Sequence, residues 1–458
     1  MRLSVQVRGK PAATLYRERD TYVLRYLPQA APTDFVSLTM PVREEPWVWP
    51  RDLHPFFRQN LPEGYLLEVI REEFGPLLDG TDLSLLAVVG GAGIGRVTVT
   101  PEGATPGVPP DPLDIEGLLT AETSAEMFAA LVRQYARAAI SGAVPKFLSL
   151  HEGNAAAPSL GKSSIRTGRH IIKGSDDRTP YLGFNEFYSL KVLKRLHVVP
   201  VAEARMSVDG RLLIVDRFDL DEAGLPVCGL EDACGLLGLP PHEKYLPSME
   251  QVLRATCAYL PAAATRVSLE QLGWQILANY VVRNADCHSK NIALYYTRLN
   301  DVAYTPAYDI VTTQAYPRYT QNPPGLSIEG RKTWAPGKSL EQFFKARLGI
   351  APREYATMVD RLCESAVDTG RELIEASRND PRWRTVAKQM VQTWNEGMAS
   401  LRSVKSETQF KGLATAIAAA GFSDQTPPEP PSGGPSYWPD RGRQRNADGH
   451  GSQKYATH

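Results

Sequence analysis

Hydrophobic and polar positions alternate through residues 1–45. LSVQVRG, ATLYRERDTYVLRYL and FVSLTMPV are rich in Val, Leu, Tyr and Thr, and they predict short strands of a small antiparallel sheet. The period then lengthens. HPFFRQNLPEGYLLEVIREEF, residues 54–74, reads as a helical segment interrupted at Pro62. Leu83–Val89 is apolar, and GGAGIGRVTV after it reads as a turn into a strand. Residues 101–115 are Pro/Gly-rich and linker-like. Beyond them the pattern predicts a helix over Ser124–Ala138, a strand ending at Lys173, a helix over Asn185–Leu196 and a strand leading to Asp216. A capped helix over Ser248–Leu260 follows. The next helix starts at Ser268, with Gln271 completing a capping box and Leu269, Leu272, Ile276 and Tyr280 on one face. It stops at Arg283-Asn284, and a short strand, Ile292–Tyr296, comes after a polar loop. Arg353–Ser377 and Trp383–Ser403 are helical. The sum is an α+β chain, sheet-rich first and helical later.

This order divides the chain into a β-rich subdomain (1–105), a linker (106–123) and a core (124–410) whose first lobe runs to about residue 220. Residues 424–458 are Pro, Gly, Ser and polar, with too little apolar surface to offset ordering entropy, so disorder is expected. No run of about 18 apolar residues predicts a membrane span, and MRLSVQVRGK has no signal-peptide core. Five cysteines, odd in number and without a CxxC, suggest reduced thiols and a cytoplasmic location. Acids and bases balance at 51 each, which argues against intrinsic nucleic-acid binding.

The chemistry concentrates in residues 284–309. Asp286 and Asn291 are spaced D-x-x-x-x-N, the spacing by which protein kinases set a base and a metal-binding amide. Asp309, past a predicted hairpin, suits a second metal-binding acid, and few carboxylates plus phosphate and water suit Mg²⁺. Lys290 lies between them. Lys173 at a strand end and Glu186 on the next helix match the kinase lysine–acid pair. Cys287 reads as a small filler, not a nucleophile. Gly90, Gly91, Gly93 and Gly95 lack both the Walker lysine and the dinucleotide pattern, so they read as a turn.

The full string N-A-D-x-H-S-K-N (284–291), with helix before, strand after and Tyr308-Asp309-Ile310 following, resembles the HipA family of serine/threonine kinases, the toxin halves of bacterial toxin–antitoxin pairs. Further matches are Asn60-Leu61-Pro62-Glu63-Gly64, Arg217-Phe218-Asp219, and Leu230–Gly238 with Lys244-Tyr245, the last read as a helical structural signature. Ala139–Lys146 is similar to the family's nucleotide-covering loop, with Ala139 at the usual serine and Val144 at the usual glutamine. Asp216 stands where the family has Glu.

The resemblance implies a bilobal protein-kinase-like fold with an N-terminal β-rich subdomain and a mostly helical C-terminal lobe. It implies ATP and Mg²⁺ as cofactors, Asp286 as the catalytic base, and Asn291 and Asp309 as metal ligands. Around ATP it sets Ser141, Gly142, Ala143, Lys146, Lys173, Asp216, Arg217, Phe218, His288, Lys290 and Tyr308. Ser141 is either the autophosphorylated serine or a turn residue. Thr312-Thr313 falls in an activation-type segment, residues 314–338 are placed to hold a target, and Lys332 among them reads as solvated. The implied partners are a separately encoded helix-turn-helix antitoxin (HipB-like), through which DNA is met only indirectly, and a protein substrate such as an aminoacyl-tRNA ligase. Two other readings stand beside this one: an aminoglycoside-type small-molecule phosphotransferase, and a non-catalytic antitoxin-binding corepressor.

Overall fold

A computed structural model describes residues 1–104, 114–124, 127–133, 163–175, 178–334 and 337–401. Ser141, Gly142, Ala143, Lys146, residues 106–113 of the linker and the tail 424–458 lie outside the described residues.

The chain opens with an antiparallel sheet in the order β4-β3-β2-β1-β5, formed by β1 Arg2–Val7, β2 Lys10–Glu18, β3 Thr21–Tyr26, β4 Trp47–Pro50 and β5 Val97–Pro101. Alternation decides which face is inside: Leu3, Val5 and Val7 of β1 are fully buried. The third predicted strand does not form. Phe35–Val42 is an irregular buried segment whose polar groups are met by side chains instead of a neighbouring strand. The Tyr26 hydroxyl accepts from Val36 N at 2.8 Å and donates to Met40 O at 2.5 Å. Glu231 accepts from Leu38 N at 2.6 Å and from Ser37 Oγ at 2.7 Å. Its apolar alternation therefore reflects burial as a loop. As expected, Pro62 separates a short turn, Pro55–Arg58, from helix α1, Gly64–Phe74. Helix α2, Asp82–Val89, packs on β5 through the glycine turn, where a Cβ on Gly90 would stand 2.6 Å from Val99 O.

A second antiparallel sheet follows in the order β6-β7-β9-β8, from β6 Ser163–Arg166, β7 His170–Gly174, β8 Ala204–Met206 and β9 Leu212–Asp216. Helix α3, Leu182–Lys194, lies across it. Alternation along β9 splits its side chains between two environments. Leu212 and Ile214, with Ile172, join the same core as Leu3, Leu15 and Leu24 of the first sheet. Leu213 and Val215 face the other way, towards Phe218 and Tyr308. The two sheets, separate in sequence, thus share one core.

The second lobe combines a three-stranded antiparallel sheet, β10 Gly229–Asp232, β11 Ala293–Arg298 and β12 Asp301–Tyr304, with, among the described residues, four helices of nine residues or more: α4 Met249–Cys257, α5 Thr265–Val281, α6 Pro352–Asn379 and α7 Arg384–Leu401. The segment 230–238 is strand up to Asp232 and only then a helical turn, which Asp232 caps at Gly235 N (2.7 Å). Glu231 turns inward to Ser37 and Leu38, so pairing with β11 wins over a helix there. Helix α4 carries the expected capping box of Ser248 and Gln251. Helix α5 starts earlier than predicted: Ser268 N bonds Ala264 O at 3.0 Å, so Ser268 sits inside the helix and is no cap. Residues 272–281 of α5 are buried on every side, with α6 and α7 packed around them.

The N-terminal subdomain also grips this lobe. Buried Glu231 accepts from the Tyr296 hydroxyl at 2.7 Å as well as from Ser37 and Leu38, and burial pushes its carboxyl up to about 7 against those hydrogen bonds. Arg96, fully buried, donates to Thr297 O and Phe35 O, both at 2.9 Å. Among the described residues, no helix is long and apolar enough to cross a membrane.

Candidate active site

Lys173 comes from the last turn-facing stretch of β7 and Glu186 from the first half of α3. The lysine Nζ reaches Glu186 Oε1 at 2.5 Å and Asp309 Oδ1 at 2.7 Å. Glu186 is buried, 1% exposed, beside that ammonium. Asp309 follows the β11–β12 hairpin with φ +57°, a left-handed conformation uncommon for a non-glycine residue. That twist is held where Asn284 Nδ2 donates to Asp309 O at 3.1 Å. The other carboxylate oxygen of Asp309 accepts from Asn291 Nδ2 at 2.5 Å, and Asn291 Oδ1 caps His288 N at 3.0 Å. The residues predicted as phosphate lysine, its acid partner and two metal ligands therefore converge.

Asp286 sits five residues before Asn291, 5% exposed. Asn284 Oδ1 accepts from its backbone N at 3.0 Å, and Arg283, with φ +55°, ends α5 and turns the chain into the loop. His288 Nε2 lies 3.9 Å from Asp286 Oδ1. Cys287 is buried, and burial together with the Asp286 and Asp309 charges pushes its thiol up to about 12, as suits a filler. Gly325 packs directly beneath: a Cβ there would stand 2.2 Å from Cys287 O.

The remaining predicted residues sort by position. The Tyr308 hydroxyl donates to Lys290 O at 2.8 Å, and its ring lies 6.1 Å from that of Phe218. The Arg217 guanidinium pairs with Asp219 at 2.6 Å, and Asp219 accepts from Gly95 N at 2.7 Å, so the R-F-D segment is clamped to the glycine turn. Gly95 has φ +90°. The Asp216 carboxylate lies 3.6 Å from His170 Nε2, half exposed on the strand. Thr312 and Thr313, placed by the sequence in an activation-type segment, are buried ties. Thr312 Oγ1 meets Ser189 Oγ at 3.0 Å and Trp394 Nε1 at 2.6 Å, while Thr313 Oγ1 accepts from Ala285 N at 2.7 Å.

Four residues around the loop escaped the sequence reading as site residues. Glu63, in the segment N-L-P-E-G, pairs with Lys290 and, at 3.4 Å, with Lys244. Burial works against its charge, but Lys290 and Lys244 hold its carboxyl at about 2. The Tyr245 hydroxyl donates to Asp286 Oδ1. Lys332 is half-buried and donates to Tyr245 O at 2.6 Å, where the sequence suggested a solvated side chain. Lys244-Tyr245 was legible only as a structural signature, because nothing in its spacing points to residue 286.

A two-lobed kinase-like protein, with Lys173, Glu186, Asn291 and Asp309 brought together and Asp286 on the same loop as Asn291, is the class these features define. Residues 138–370 match the HipA-like C-terminal domain family and residues 3–100 the HipA N-terminal domain family. "Putative kinase Y4mE" of Sinorhizobium fredii is 31% identical over 299 residues, 62% of this chain and 69% of that protein. "Putative kinase Y4dM" of the same organism is 24% identical over 342 residues, 71% of this chain and 75% of that one. HipA of Shewanella oneidensis, solved with HipB and its operator DNA, superposes with a TM-score of 0.55 at 18% identity, covering 91% of this chain and 95% of that one. The chain belongs to the HipA family, and its relatives support kinase activity in general terms.

Proposed function

We propose that this chain is an ATP- and Mg²⁺-dependent protein serine/threonine kinase of HipA type. The observation that carries the proposal is the run Lys173–Asp309–Asn291, with Glu186 behind the lysine and Asp286 a few residues away on the same loop. The donor set suits Mg²⁺: one carboxylate, Asp309, and one amide, Asn291, whose oxygen has two lone pairs, one of them taken by His288 N–H. Bound there with the nucleotide, the ion would neutralise charge on the phosphates. Lys173 orients the phosphates. The strand leading to Asp216 and Arg217 offers its backbone to adenine, with Phe218 and Tyr308 alongside.

Asp286 accepts the target hydroxyl's proton as that oxygen bonds the terminal phosphorus. The bond from that phosphorus to the bridging oxygen breaks, and ADP leaves. The reading extends to a HipB-like antitoxin as partner, supported by the complex in which the Shewanella HipA was solved. It extends also to a translation component such as an aminoacyl-tRNA ligase as target, and to Ser141 as a self-phosphorylation site.

The test incubates the protein with ATP labelled at the terminal phosphate, Mg²⁺ and a bacterial extract, beside Asp286→Asn. Label on protein serine or threonine is expected for wild type, and a loss of about 10²–10⁴-fold for the variant. Label on an added aminoglycoside alone, or equal activity of the variant, refutes the reading. An unmodified loop peptide in active wild type removes Ser141 alone.

A further inference from the structure

The segment Lys244-Tyr245 is fixed against the polar loop from several sides. Ser289 donates to Lys244 O through both N (3.1 Å) and Oγ (2.9 Å). Lys244 Nζ reaches Glu63 Oε2 at 3.4 Å, and Glu63 holds Lys290 as well. Lys332 Nζ donates to Tyr245 O at 2.6 Å. The Tyr245 ring meets that of His288 edge-on, with centroids 5.0 Å apart. From this platform the phenol donates to Asp286 Oδ1.

A carboxylate on a short side chain can rotate about its last bond. As a base it is useful only with an oxygen turned to the incoming hydroxyl. A rigid phenol donor on one oxygen fixes that rotation, and it favours the charged form that accepts a proton. The anchoring through Glu63, Lys332 and Ser289 separates this from a loose hydroxyl that wanders into the acceptor's place. We infer that Tyr245 is a positioning residue for the Asp286 base, held in register by the N-terminal subdomain through Glu63 and by the segment carrying Lys332. The inference rests on the kinase reading above.

The test compares wild type, Tyr245→Phe and Asp286→Asn, all full-length. Initial rates of label transfer from ATP with Mg²⁺ to a dephosphorylated bacterial extract are measured at varied ATP and between pH 5 and 9. Phenylalanine keeps the ring and its contact with His288, so the melting temperature is expected to stay within a few degrees. The loss of one charge-assisted hydrogen bond is expected to lower kcat about tenfold. KM for ATP should stay within about twofold, since the substitution leaves the Lys173–Asp309–Asn291 contacts in place. The acid limb of the kcat profile should move to higher pH by about one unit, because a carboxylate that loses a donor is protonated more readily.

Wild-type kcat with an unmoved acid limb in Tyr245→Phe overturns the inference alone. So does a fall in kcat matched by a rise in KM with no movement of the limb, or a variant that fails to fold, since either makes the residue structural. Phosphate on Tyr245 of wild type, seen by mass spectrometry, also overturns it, because the phenol is then an acceptor. A wild type that transfers nothing overturns the kinase reading and this inference together.

Discussion

Replacing Glu63 with Gln removes one carboxylate that two lysines share, and the cost can be worked from the structure. Glu63 is held at about 2, where a free glutamate titrates near 4.5. Linkage over that interval would amount to about 3 kcal/mol for a fully enclosed group. A third of the side chain is exposed, so solvent screening reduces this to about 1–2 kcal/mol. The sign follows from the depressed value. The folded form binds fewer protons than the unfolded one between about 4.5 and 2, so the contribution is complete above pH 4.5 and is lost as pH falls towards 2. Urea unfolding of wild type and Glu63→Gln at pH 7, 4 and 3 checks it. Wild type should be the more stable by about 1–2 kcal/mol at pH 7, with the gap shrinking at each step down. A gap that is the same at all three pH values, or none at pH 7, refutes the claim that this ion cluster ties the N-terminal subdomain to the loop.

Two further variants probe the site from beneath. Lys173→Met strips the counter-charge from buried Glu186 and from Asp309, and breaking such an arrangement typically costs about 3–5 kcal/mol. It should lower the melting temperature as well as nucleotide-dependent transfer, and unchanged stability by calorimetry would contradict the packing described. Gly325→Ala puts a methyl 2.2 Å from Cys287 O, so either Gly325 or the loop must shift. Overpacking of this kind costs about 1–3 kcal/mol, and transfer should fall more steeply than stability. A fully active Gly325→Ala protein would show that the contact is not tight.

The cluster of Lys173, Glu186, Asn291 and Asp309 was legible because the chemistry sought there restricts residue type and spacing. An acid and an amide five apart, a second acid past a hairpin and a lysine at a strand end leave few other roles, and Lys173, Glu186, Asn291 and Asp309 do meet. The supports were not legible, because they depend on which distant segments touch. Glu63 lies 227 residues from Lys290, and Tyr245 lies 41 from Asp286. No local pattern encodes either contact. The misread elements share a cause. Phe35–Val42 alternates like a strand, but Tyr26 and Glu231 bind its backbone first. Ser268 followed by Gln271 looks like a helix start, but Ser268 is itself buried and its N–H is already bonded to Ala264 O, so it lies within a helix that begins at Thr265. In each case tertiary packing overrode a sound local signal.

The core shared by the two sheets bears on any attempt to cut the protein in two. Ile172, Leu212 and Ile214 belong to one buried cluster with Leu3, Leu15 and Leu24 of the first hundred residues and with Phe128 and Val132. A fragment beginning after the linker would keep Phe128 and Val132 but lose the part of that cluster that the first hundred residues supply, and should aggregate on expression. The missing piece supplied as a separate polypeptide would have to be made alongside it, since neither half keeps a surface fit for waiting alone.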